Sequence, residues 1–116
     1  MNPKAIETLK ANWREELVVA RVYHALAEAE PSARRKDLLT RMARSEEEHA
    51  ALWAERLLAL GVTVDPAEVE PDWRKQQRLL KLFGPDAMIR RIEKEERGHV
   101  AEIGRASCRE RVCLAV

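Results

Sequence analysis

The chain has little of what folds other than helical ones draw on. Cysteine occurs only at Cys108 and Cys113, both within the last nine of 116 residues, a position that cannot staple a core and says little about redox compartment. Aromatic residues make up 4% of the chain and β-branched residues are sparse, so strands, which draw on both, are disfavoured. Four glycines and five prolines leave few points at which a helix must break. No run approaches the roughly 18 apolar residues that cross a bilayer. The opening Met1-Asn2-Pro3-Lys4 leads into a charged amphipathic stretch rather than the apolar core of a signal peptide, and a soluble, cytoplasmic polypeptide is the expectation. Nor is there an excess of charge of one sign. Charged residues are 35% of the chain yet the net charge is only +1, which argues against a nucleic-acid-binding module held by positive charge.

What is abundant is Ala, Leu, Arg and Glu, all good helix formers. The expected fold class is therefore all-α, and the length allows one domain with one core. Asn2 before Pro3 opens helix 1 with an N-cap and a residue whose φ suits the first turn. That helix runs to about Glu30, with Ile6, Leu9, Trp13, Leu17, Ala20, Tyr23 and Ala27 recurring at the three-and-four spacing of one face. Glu16 falls inside the stripe. Pro31-Ser32 breaks the pattern, and helix 2 carries Leu39, Met42, Glu46, His49, Trp53, Leu57 and Leu60 on one seam until Gly61 ends it. So short a link favours an antiparallel hairpin with the two stripes face to face. Residues 62–70 connect onward, with Asp65-Pro66-Ala67-Glu68 able to cap a brief helical turn. Helix 3 is expected from Trp73 to Phe83, closed by Gly84-Pro85, and helix 4 has a seam of Ile89, Ile92, Glu96, His99 and Ile103.

Helices 2 and 4 each carry a Glu-x-x-His pair, Glu46 with His49 and Glu96 with His99. One such pair arises easily in a chain this rich in Glu, and a lone seam His is more often a hydrogen-bonded core residue. Two pairs on two apolar seams, with Glu16 on a third, are harder to dismiss. Each carboxylate stands where Leu would be cheaper, and burying it unpaired costs several kcal/mol or forces it neutral. Arg14, Arg41, Arg44 and Arg97 do not share these seams, whereas bound cations would offset all the charges together. Residues at i and i+3 lie side by side on a helix, so each pair directs an oxygen and an imidazole nitrogen toward one point. Two such points, bridged by further Glu residues, are the di-iron carboxylate pattern of four-helix bundles, with ligands suited to iron or manganese. Zinc fits less well, because its structural sites usually use Cys or fewer ligands.

The strings Glu16-Leu17-Val18-Val19-Ala20-Arg21-Val22-Tyr23, Ser45-Glu46-Glu47-Glu48-His49-Ala50 and Glu95-Glu96-Arg97-Gly98-His99 resemble rubrerythrin and its ferritin-like relatives, over residues from about 5 to 101. The resemblance implies a ferritin-like antiparallel four-helix bundle, two iron ions held by Glu16, Glu46, His49, Glu96 and His99, and Tyr23 beside the metals, although plain core packing accounts for Tyr23 equally well. With Trp13, Trp53 and Leu82-Phe83-Gly84-Pro85, the chain looks most similar to the ferritin-like domains that precede membrane transporters of the vacuolar iron transporter type. The activity so implied is oxidation of ferrous iron by dioxygen or peroxide, in the service of iron handling or of such a transporter. A rubrerythrin-type peroxide reductase using the same residues is the alternative, and a bundle whose Glu and His form only a polar network is a third.

Three departures from the family stand out. Rubrerythrins supply a further carboxylate from helix 3, yet Trp73 to Phe83 contains no Glu or Asp; Glu93, Glu68, Glu70 or Asp72 could replace it, as could a homodimer lending ligands across its interface. No Cys-x-x-Cys pair for a rubredoxin centre is present. At the C-terminus, Ile103-Gly104-Arg105-Ala106-Ser107-Cys108-Arg109-Glu110-Arg111-Val112 resembles, residue for residue, one translated frame of a common sequencing adapter. Residues 1–102 are accordingly expected to form the domain, truncated in helix 4, and 103–116 to be a non-native tail excluded from fold reasoning. A membrane transporter domain would then be missing beyond it, and both cysteines would be without function.

Overall fold

The structure is a computed structural model and describes residues 2–95, so Glu96, His99 and the adapter-like tail lie outside the described residues. Within them every regular element is helical: α1 (Pro3–Ala29), α2 (Ala33–Ala59), a 3₁₀ turn (Pro66–Val69), α3 (Glu70–Phe83) and helical residues 85–95. The all-α reading holds. A boundary between two compact units falls inside α3, after Arg78.

Side chains chosen for the purpose fix the helix ends. Asn2 Oδ1 accepts a hydrogen bond from the Lys4 N–H at 2.9 Å, with Pro3 in the first turn, and Ser32 Oγ accepts from the Arg35 N–H at 3.4 Å. Each satisfies one of the donors a helix start leaves without a partner. At the far end of α2 the Gly61 N–H donates to the Leu58 carbonyl and the Val62 N–H to the Leu57 carbonyl, both at 2.9 Å. This double bond pattern requires the residue between to take positive φ, which Gly61 does at 79° without the steric cost another residue would bear. Val62 then folds back onto the apolar cluster that contains Leu57. Asp65 Oδ1 accepts from the Ala67 N–H at 3.0 Å and starts the 3₁₀ turn, which runs directly into α3. The expected start of helix 3 at Trp73 is thus three residues late, because Pro71 lies in the first turn, where its missing N–H would have had no partner anyway.

Helices α1 and α2, 27 residues each and so roughly 40 Å long, are joined across Glu30, Pro31 and Ser32 and pack against one another as a hairpin. Trp13, Val18, Ala50, Leu57 and Val69 form the buried cluster, flanked by Ile6, Leu9, Leu17, Trp53, Ala54, Val62 and Val64. Of the expected stripes, Ile6, Leu9, Trp13, Leu17, Trp53 and Leu57 lie in or against this cluster, Ala20, Tyr23, Ala27 and Leu39 are buried as well, and Met42 and Leu60 are half-buried. The stripe on α1 is also wider than the sequence suggests: Val18, Val22 and Leu26 are buried beside Trp13, Ala20, Tyr23 and Ala27. They make a second row at i, i+4 and i+8, and α1 packs on the Pro66–Val69 turn as well as on α2. Arg21 Nη1 donates to Glu70 Oε1 at 2.6 Å, tying α1 to the start of α3 across the surface of the same unit.

Adjacent leucines test this packing. Leu57 is fully buried and Leu58 exposed, so Leu57→Ala is expected to cost about 2–5 kcal/mol in urea unfolding and Leu58→Ala less than about 0.5; equal losses would contradict the packing.

Candidate metal centre

The hairpin seam is lined by small residues where the polar ones occur. Ala20 on α1 and Ala43 and Ala50 on α2 are buried, and their short side chains let the helix backbones approach. Glu16 lies one turn before Ala20, and Glu46 and His49 lie between the two alanines of α2. The antiparallel arrangement sets the α1 residue opposite the α2 pair. One donor atom from each of Glu16, Glu46 and His49 falls within 4.8 Å of the others. His49 Nδ1 is 3.3 Å from Glu16 Oε2 and 3.9 Å from Glu46 Oε2.

The expectation that these carboxylates are buried is met only in part. Their side chains keep 26% exposure at Glu16, 18% at Glu46 and 34% at His49, and no charged residue among the described ones is fully buried. Desolvation is concentrated on one atom. Glu16 Oε2 is cut off from solvent and accepts no hydrogen bond, the nearby imidazole nitrogen being poorly aligned. Such an atom costs about 1–3 kcal/mol relative to a satisfied one. Arg21 is engaged with Glu70, and Arg41 with Asp37 at 2.7 Å.

The donor set is two carboxylates and one imidazole, hard oxygen with borderline nitrogen, which suits iron, manganese or zinc. An ion about 2.1 Å from each donor holds them within about 4.2 Å of one another, a spread that small side-chain rotations would reach. The orphaned Glu16 Oε2 is the kind of atom that a cation satisfies.

Of the five residues expected to ligate, Glu16, Glu46 and His49 come together, while Glu96 and His99 lie outside the described residues. Among the candidates for a further carboxylate, Glu70 is held by Arg21, and Glu68, Asp72 and Glu93 are exposed. Tyr23 is buried. Sequence reasoning missed a second polar pair across the hairpin, His24 Nε2 with Glu47 Oε1 at 2.8 Å. Its only sequence signal is that each residue is next to one already singled out, Tyr23 and Glu46. Both partners are about half exposed, which separates this pair from the seam cluster. Set against known proteins, the chain matches no family model, no curated protein and no solved structure. The site therefore has to be read from its own chemistry.

Glu16→Leu separates a ligand from a structural residue. In metal-free protein the substitution is expected to raise stability by about 1 kcal/mol, by removing the unsatisfied oxygen. Manganese or zinc should raise the thermal midpoint of the wild type and leave the variant unmoved. Destabilisation of the metal-free variant with no metal effect on either protein would make Glu16 a structural group.

Proposed function

We propose that this chain is a ferritin-like domain that takes up ferrous iron and oxidises it, with dioxygen or peroxide as electron acceptor. The observation that carries the reading is the convergence of Glu16, Glu46 and His49 around an orphaned carboxylate oxygen. The second Glu-x-x-His pair, Glu96 with His99, supports it from the sequence, since a two-ion site needs about twice the donors that Glu16, Glu46 and His49 provide. The resemblance to rubrerythrin and its relatives points the same way. In this reading iron is the substrate, manganese can take its place without turning over, and a ferritin-like bundle completed by helix 4 encloses the site.

The chain's own residues bind and neutralise rather than attack. Glu16 and Glu46 supply two negative charges, which favour a cation and favour its more highly charged oxidised form still more. His49 is the neutral donor, and its ring is positioned by the turn of α2 that it shares with Glu46. The apolar flanks, Trp13 on α1 and Trp53 and Leu57 on α2, limit water on one side and raise the strength of these charge interactions. Each ferrous ion gives up one electron, so two ions reduce one peroxide, or four reduce one dioxygen to water.

Ferrous iron added anaerobically to the full chain, followed by metal analysis and then by near-ultraviolet absorption on admitting oxygen or peroxide, tests the proposal. Two irons per chain with an oxo-bridged ferric spectrum is the expected result when both Glu-x-x-His pairs serve one protomer; one per chain is expected when two copies share a site. His49→Ala should abolish the absorption in either case. A folded protein that binds no iron would overturn the proposal, and sustained peroxide turnover with an external electron donor would move the activity to peroxide reduction.

A further inference from the structure

We propose that one face of α3 docks on an anionic membrane surface, independently of the metal centre. Within Glu70–Phe83 the helix carries Arg74, Lys75, Arg78 and Lys81, all exposed. At 3.6 residues per turn these four fall within an arc of roughly 120°. None of them takes part in an ion pair among the described residues. Two cations of other helices are answered from within their own helix. Arg41 is paired with Asp37 and Arg91 with Glu95, each at i,i+4 spacing. On α3, by contrast, Arg74 and Arg78 stand at i,i+4, and Arg78 is three residues from both Lys75 and Lys81, so neighbours one turn apart repel and weaken the helix. The acids of α3, Glu70 and Asp72, are confined to its first turn, and Glu70 is held by Arg21. A chain with a net charge of only +1 therefore gathers uncompensated positive charge on one helix face.

The same helix exposes its largest apolar side chains at its end. Leu82 is 76% exposed and Phe83 65% exposed. By helical rotation Leu82 falls inside the cationic arc, whereas Phe83 lies about 80° beyond its edge. A basic face with an exposed leucine in it, and an exposed phenylalanine farther round the same helix, fits a helix that lies in a bilayer interface, cations at the headgroups and apolar groups at the acyl boundary. A nucleic acid would match the charge but would leave Leu82 without a partner. The mode is lying on the surface: no helix among the described residues is long and apolar enough to cross a membrane.

The test is co-sedimentation of the full chain with phosphatidylcholine vesicles, with and without phosphatidylserine, at low and high salt. Binding only to the anionic vesicles, weakened by salt, is expected. Each cation near such a surface contributes about a fivefold gain in partitioning, so Arg74→Gln with Arg78→Gln should lower binding more than tenfold. Leu82→Ser should lower it as well while keeping the salt dependence. Circular dichroism confirms that each variant remains helical, and iron binding, read separately, should be unchanged in all of them. Binding to neither vesicle, equal binding to both, or tighter binding to a duplex oligonucleotide than to the anionic vesicle would overturn the proposal.

Discussion

Glu16 projects from α1 into the seam with α2, and its Oε2 atom has neither solvent nor a hydrogen bond. In a hairpin stabilised by apolar packing, such an atom is a local cost, and the surrounding residues do little to reduce it. Ala20, Ala43 and Ala50 bring the backbones close, which draws Glu46 and His49 toward Glu16 rather than letting the three side chains extend into water. Trp13 and Leu57 close the neighbouring part of the seam. The arrangement sacrifices stability to hold three donor atoms together, a trade that a cation, under the proposed reading, would reverse. Partial exposure of the three side chains would leave such an ion a way in.

Much of the helical framework was legible in the sequence, and the reasons are local. The Asn2-Pro3 opening, the Ser32 cap and the Gly61 stop depend on chemistry within a few residues, and each forms as the sequence suggests. The seams of α1 and α2 followed from helical periodicity. Other features depend on what lies across space. The second buried row of α1, Val18, Val22 and Leu26, is indistinguishable in the sequence from an ordinary run of helix formers, and only in the fold does Val18 share an apolar cluster with Val69 of the Pro66–Val69 turn. The start of α3 at Glu70 was obscured by Pro71, which reads as a breaker in isolation and as a helix opener once the 3₁₀ turn precedes it.

The proximity of Glu16, Glu46 and His49 was legible in part. A shared seam places Glu46 beside His49 on α2, but that Glu16 stands opposite them depends on the register of the hairpin, which the length of the link only approximates. The pairs Arg21 with Glu70 and His24 with Glu47 were not legible, since each joins residues far apart in sequence through long side chains whose partners are chosen by geometry. They matter to the centre indirectly. Arg21 and Glu47 are thereby directed to partners other than Glu16, Glu46 and His49. The uncompensated cations of α3 are the opposite imbalance, displayed on a surface rather than turned into a seam.

Anomalous X-ray diffraction from crystals of the full chain grown with manganese, which binds like ferrous iron but does not turn over, addresses the central claim directly. The account requires a manganese peak bonded to Glu16, Glu46 and His49, accompanied by a second ion about 3.5–4 Å away. A well-ordered Glu16, Glu46 and His49 with no peak between them, or manganese bound only at the exposed His24 and Glu47 pair, would contradict it.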